Sequence, residues 1–308
     1  MAFRRKKASK SEKDSFRLGS SKDRKKRRIS RYRQSLLFIA IVVGIVCVFA
    51  GAGVFFVFLD QRVPRPHGSG FIKLVNPPEW INEALKEKIY KAARAGGENL
   101  KLDENAAQEV QQNIAKVSWV DQVKVQTTAD SFIVDAKWRK PVGLLKIGQG
   151  KFYVDSESVV LDFVPMSNLP IIEIKGFPVP AKPPTPGQVW HSDALSAAVA
   201  ILTLFDTRDK LDVPGKPLLN QIDSIDITNF DGRQNNRLPH IVLYAKDGTG
   251  IIWGAEIGTW QRYLEARDED KLAKLYSYYK ETGSLLNGVK YIDLRQPEQT
   301  VFQPVDKN

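Results

Sequence analysis

Leu36 to Leu59 (LLFIAIVVGIVCVFAGAGVFFVFL) holds no charged or strongly polar residue. At about 1.5 Å per residue, a helix of that length covers roughly 36 Å, enough to cross a hydrocarbon core of about 30 Å. The pattern predicts a transmembrane helix over 35–59, running from Leu36 through Gly44 and Gly51 to Leu59. Ala40, Gly44, Cys47 and Gly51 recur at i, i+4, i+7 and i+11, a face of small residues that would admit a partner helix. Ala50-Gly51-Ala52 also reads as the cleavage site of a secretory signal. The apolar run continues from Val54 to Leu59, however, and the charged leader is long, so an uncleaved anchor is favoured.

Past a Pro- and Gly-containing linker over 60–70, the periodicity changes. Phe71 to Val75 reads as a strand. Asn76-Pro77 reads as a helix start, with Trp80, Ile81, Ala84, Leu85 and Ile89 at helical spacing and Gly96-Gly97 as the stop. Asp103 caps a second helix through Lys116. Val123 and Val125, then Phe132, Val134, Ala136 and Trp138, alternate as a hairpin. This order predicts a small α+β module over 71–139 with its helices on one face of a three-stranded sheet.

From 140 to 308 the candidates are mainly strands: 142–147, 151–154, 159–163, 171–175, 222–228, 241–245, 251–253, 290–294 and 300–303. The Pro-rich stretch from Gly176 to Gly187 reads as an extended loop. Helices are expected from Asp193 through Phe205 and after Asp268, where Leu272, Leu275, Tyr276 and Tyr279 form one stripe. Lys246-Asp247-Gly248-Thr249 is a tight-turn signal. The expected fold is thus a single transmembrane α-helix followed by α+β: a β-α-α-β-β module, then a mostly antiparallel β domain with flanking helices.

Charge changes the picture only through its location. The formal net charge is +11, but residues 1–33 carry 15 Lys/Arg against Glu12, Asp14 and Asp23, and everything after Arg33 nets −1. Residues 1–34 read as a basic, disordered tail. Eight Lys/Arg lie in 21–35 against three in 60–74, which places the N-terminus in the cytoplasm and 60–308 outside. The run Arg24 to Arg28 suits anionic membrane lipid; tethering DNA is the disfavoured reading of the same charges.

Catalytic chemistry finds little to build on. His67, His191 and His240 have no metal-ligand spacing, the only cysteine is Cys47, and there is no GxSxG, P-loop or GxGxxG signature. Asp223 with Asp226, or Asp268 with Asp270, could be drawn as an acid/base pair for a glycan hydrolase, but carboxylates at turns and caps more often serve the backbone. No enzyme, no cofactor and no metal is expected; an anchored envelope hydrolase is the alternative.

Several stretches resemble the bacterial cell-division FtsQ/DivIB family. Trp119 to Val125 followed by Phe132 to Gly143 is similar to that family's "WVxxVxV … ERxPvA" hairpin, with Trp138 where Glu is usual. Tyr153-Val154-Asp155 through Leu161, Leu169-Pro170 through Gly176, and Tyr291-Ile292-Asp293-Leu294-Arg295 resemble its "vDxxGxxF", "LPxlxG" and "YVDLRY" segments. Ser158 replaces a usual Gly, and Gln296-Pro297 departs after Arg295. The resemblance implies a POTRA domain over 71–139 and an FtsQ-type β domain over 140–308. It further implies a single-pass scaffold of the bacterial inner membrane that takes part in septation. Its partners would be bitopic division proteins of the FtsB and FtsL kind, held partly by strand addition at the C-terminal edge. Arg295, Gln296, Thr300, Val301 and Phe302 are the candidate partner-binding residues; closure of the domain's own core by Val301 and Phe302 is the competing role.

Overall fold

The computed structural model describes residues 39–55, 58, 70–95, 97, 102–178, 185–286, 289–296 and 302–304. The chain divides into two units, Met1–Arg65 and Pro66–Asn308. In the first unit, 39–55 is helical (α1) and contains Ala40, Gly44, Cys47 and Gly51, whereas Leu36 and Leu59 lie outside the described residues. Among the described residues no helix is long and apolar enough to cross a membrane. That corrects the expectation of a single transmembrane helix over 35–59, and with it the single-pass, type II placement in a bacterial inner membrane.

The second unit begins with β1 (Phe71–Leu74), α2 (Glu83–Ala93), α3 (Glu104–Ala115), β2 (Val120–Thr127) and β3 (Ser131–Trp138). Their sheet has the order β1-β3-β2, with β1 parallel and β2 antiparallel to β3. Helix α2 starts six residues later than the sequence reading. Its cap is Asn82, whose Oδ1 accepts from Leu85 N at 3.0 Å. Pro78 disfavours helical backbone at Pro77, so Asn76 ends in a left-handed turn (φ 42°) rather than a cap. Asp103 caps α3, accepting from Ala106 N at 2.7 Å. Leu85, Ile89, Val110 and Ile114 pack on Phe132 and Val134.

The rest forms one nine-stranded sheet, ordered β12-β11-β10-β9-β8-β7-β4-β5-β6. Its strands are β4 (Pro141–Ile147), β5 (Gly150–Asp155), β6 (Val160–Asp162), β7 (Ile172–Lys175), β8 (Ile222–Asp226), β9 (Ile241–Ala245), β10 (Gly250–Gly254), β11 (Val289–Asp293) and β12 (Phe302–Pro304). The expected "mostly antiparallel" domain is instead mixed: β4–β7, β7–β8 and β10–β11 are parallel. Parallel neighbours need a crossover. Helices α4 (Asp193–Asp212) and α5 (Asp268–Thr282) supply two of them, between β7 and β8 and between β10 and β11. Helix α4 is capped by Ser192 and runs past Phe205, while Gly283 ends α5 in a left-handed C-cap.

Both crossovers cover the same sheet face. Leu195, Leu202 and Phe205 of α4 and Leu275, Tyr276 and Tyr279 of α5 share a core with Ile174, Ile225, Leu243, Ile251 and Ile292. On the opposite face the N-terminal module covers β4 to β6: Trp119 and Val120 pack with Tyr153 and Leu161. Arg139, at the junction, bonds Asp121 (2.6 Å), Asp155 (2.7 Å) and Glu157 (2.8 Å).

Candidate docking edge

The two ends of the large sheet are finished differently. At the β6 end, the segment after the Pro-rich loop lies along the strand. Val160 N donates to Gln188 O (2.9 Å), Gly187 N donates to Val160 O (2.7 Å), and Val159 bridges Val189. At the other end β12 is the last strand, antiparallel to β11 in the register Val289↔Pro304, Tyr291↔Gln303 and Ile292↔Phe302.

Two of the five sequence-derived candidates have described side chains, and both are engaged within the chain. The Arg295 guanidinium forks onto Asp293, Nη2 to Oδ2 at 2.7 Å and Nε to Oδ1 at 3.0 Å, and this carboxylate raises its pKa further. Its backbone N–H also donates to Asp293 Oδ1, and its carbonyl accepts from Ala266 N at 2.7 Å. Lys274 Nζ of α5 donates to the Gln296 carbonyl at 2.6 Å. Arg295 and Gln296 therefore tie the strand end to the α5 crossover. Phe302 contributes backbone to β12; Thr300 and Val301 lie outside the described residues.

The carboxylates weighed for hydrolysis are separately occupied. Asp223 is exposed beside Lys175 Nζ at 3.5 Å, and Asp226 Oδ1 accepts from Thr228 N at 2.7 Å. Asp268 accepts from Gly258 N at 2.7 Å through one oxygen, while its buried Oδ1 has no hydrogen-bond partner, and burial pushes its carboxyl up. Asp270 is exposed. His191 is exposed, His240 stacks edge-on against Tyr263 at 4.6 Å, and His67 lies outside the described residues. Among the described residues no three His, Cys, Asp or Glu side chains converge as a metal site.

Sequence reasoning missed two arrangements. One is the pair beneath the β10–α5 connection. Lys271, fully buried, bonds Glu265 at 2.7 Å and lies 5.1 Å from the Trp253 ring centroid, and the same carboxylate accepts from Ala255 N. A Lys within an amphipathic stripe reads as a solvated position, so nothing in the pattern marked it. The other is a groove on the helix-free face of β8 to β11, lined in part by Asp226, Tyr244 and Tyr291. Its only trace in the sequence is that Tyr244 falls out of phase with the buried Leu243. A scan of protein-family models and a search of curated proteins return no match to this chain.

Proposed function

We propose that this chain is a non-catalytic docking scaffold of bacterial cell division, of the FtsQ/DivIB kind, taking partners by strand addition outside β12. The observation that carries the reading is the asymmetry of the sheet. The β6 end is occupied by 187–190, whereas among the described residues β12 has a strand only on its β11 side. A terminal strand presents N–H and C=O groups that an extended segment of another protein can pair, with side chains supplying selectivity. The partners, by the resemblance, are division proteins of the FtsB and FtsL kind.

The working surface on this reading is the β12 backbone, which begins at Phe302; Thr300 and Val301 precede it in the sequence and lie outside the described residues. Arg295 and Gln296 act from behind by fixing the strand end to α5. The test is deletion of Glu298 to Asn308 in cells that depend on this protein. Capture of an FtsB- or FtsL-like partner and septation should both be lost while the remaining chain still melts cooperatively. Intact capture and septation after the deletion would refute the proposal.

A further inference from the structure

The sheet face opposite α4 and α5 is covered over β4 to β6 and carries a groove of about 580 Å³ over β8 to β11. Register dictates its shape. Gly250 of β10 pairs with Tyr244 of β9 on one side and with Tyr291 of β11 on the other, so two aromatic side chains flank a position with none. Strands lie about 4.8 Å apart, which leaves a slot roughly one side chain wide between the tyrosines. A methyl on Gly250 would be in van der Waals contact with Tyr244 Cε1 (3.8 Å), Tyr291 Cβ (3.8 Å) and Val242 Cγ1 (3.9 Å), so these three residues bound the groove at the glycine. Val242 and Ile252 continue the floor.

One end of the groove is acidic. Asp226, paired with Val242 across β8 and β9, uses one oxygen on Thr228 N–H and has no cationic partner among the described ion pairs. Its charge reaches the slot: burial pushes the Tyr244 phenol up, and Asp226 adds to the rise. Lys175, the β7 neighbour in register with Asp226, is directed instead to Ser224 (3.1 Å) and Asp223 (3.5 Å). The far end carries Lys290, and His240 lies on the wall.

That wall is held rigid. The buried Asn229 side chain accepts from Gln234 N and Asn235 N and donates to the carbonyls of Asn235, Leu238 and Pro239. Arg233 grips the carbonyls of Thr228, Ile227 and Gly176. A loop fixed this way presents exposed Leu238 at the rim without further ordering cost.

We propose that this groove recognises an arginine side chain on an otherwise near-neutral, extended segment of a partner polypeptide. A guanidinium is planar, stacks on aromatic faces and pairs with a carboxylate, which matches a groove that offers the Tyr244 and Tyr291 rings and, on β8 beside Val242, the Asp226 carboxylate. Lys290 at the far end disfavours a uniformly basic ligand. The site lies on the face of the sheet, not along β12, and so stands or falls separately from strand addition.

The experiment is an NMR titration of the full chain, labelled at isoleucine δ1-methyls, with the peptide amide Gly-Ser-Gly-Arg-Gly-Ser-Gly and its lysine and citrulline counterparts. The arginine peptide should shift the Ile252 methyl saturably, at least fivefold more tightly than the citrulline peptide and about threefold more tightly than the lysine one. Asp226→Asn, which keeps an acceptor for Thr228 N–H, should abolish the arginine preference. Gly250→Val should fill the slot and remove binding of all three peptides, while Asp135→Asn, an equal charge change on β3, should alter nothing. Equal affinity for arginine and citrulline, or an unchanged preference in Asp226→Asn, would overturn the proposal. So would self-association through this face, seen as concentration-dependent Ile252 shifts without peptide that disappear in Tyr291→Ser.

Discussion

Trp119 tests whether the N-terminal module and the large sheet unfold as one body. Its side chain is fully buried, with ring centroids 6.5 Å from Trp80 and 5.8 Å from Tyr153, edge-on to the latter at 78°. Its indole N–H donates to Asp162 O at 3.1 Å, and its own carbonyl accepts from Arg139 N at 2.9 Å. Trp80 precedes α2, whereas Tyr153 and Asp162 belong to β5 and β6, so both sides of the joint lean on one residue. Truncating a buried tryptophan to alanine costs about 3–5 kcal/mol, and aromatic pairs account for about 0.5–1.5 kcal/mol each of that loss. For a body of this size about 1 kcal/mol corresponds to roughly 2–4 °C, so Trp119→Ala should lower Tm by about 6–20 °C. Trp119→Phe keeps an aromatic ring but forfeits the bond to Asp162; a loss of about 1–3 kcal/mol is expected. Calorimetry should show one transition moving down, and hydrogen exchange should show amides of β3 and of β5 losing protection together. A loss under about 1 kcal/mol, or protection lost on only one side, would refute the shared-core argument.

Three further outcomes follow from single sites. Lys271→Met strands the Glu265 carboxylate in the interior and should cost about 3–5 kcal/mol in urea unfolding, with Lys271→Met plus Glu265→Gln recovering most of it. Gly176→Ala places a Cβ 2.4 Å from Thr228 N at φ 78° and should cost more than about 2 kcal/mol, whereas Gly283→Ala, at φ 70° in open space, should cost only about 1 kcal/mol. Equal losses at the two glycines would show that close approach is not what Gly176 serves. The Asp268 carboxyl is raised from 3.8 by burial, partly offset by the Gly258 N–H. The folded state therefore holds that proton more tightly than the unfolded chain. Its contribution falls as pH rises from the unfolded value through the folded one, and Asp268→Asn should flatten that fall in the stability–pH curve above pH 3.8.

Local elements were legible where one periodicity dominated. Val123/Val125 against Phe132/Val134 marks the β2–β3 hairpin, and Asp103 marks the start of α3, because caps and alternation are local physics. The start of α2 was misplaced because Asn76-Pro77 imitates a cap, while Pro78 and the true cap, Asn82, decide otherwise. Strand direction was not legible. Ile172–Lys175 (IEIK) and Ile222–Asp226 (IDSID) are short strands whose isoleucine spacing fits either orientation, and only the α4 crossover makes them parallel. Arg295 could be singled out from a motif, but its fork onto Asp293 depends on how the chain leaves β11. The turn signal at 246–249 brings Gly250 opposite Tyr244, but Tyr291 joins them only through the parallel β10–β11 pairing across α5, which no local pattern spans.

The topology explains why unfilled surface is left where it is. Both helical crossovers lie on one face, so the other can be covered only by the N-terminal module, which reaches β4, β5 and β6. At the β6 edge the chain closes the backbone with 187–190, and at the junction it commits Arg139 to three carboxylates. Over β8 to β11 neither device is used. A face meant only for water is most simply built from Thr, Lys and Glu; this one carries Val242, Tyr244, Ile252 and Tyr291 around a glycine, walled by a loop on which a buried asparagine spends its whole side chain. Tyrosine suits a surface that must tolerate water when empty and still bury area when filled. If that reasoning holds, replacing Tyr244 and Tyr291 together by Thr should leave Tm within about 1–2 °C, since neither ring belongs to the core, while removing peptide capture by the groove. A large loss of Tm would mean that the tyrosines hold the sheet together and that the groove is a by-product of their packing.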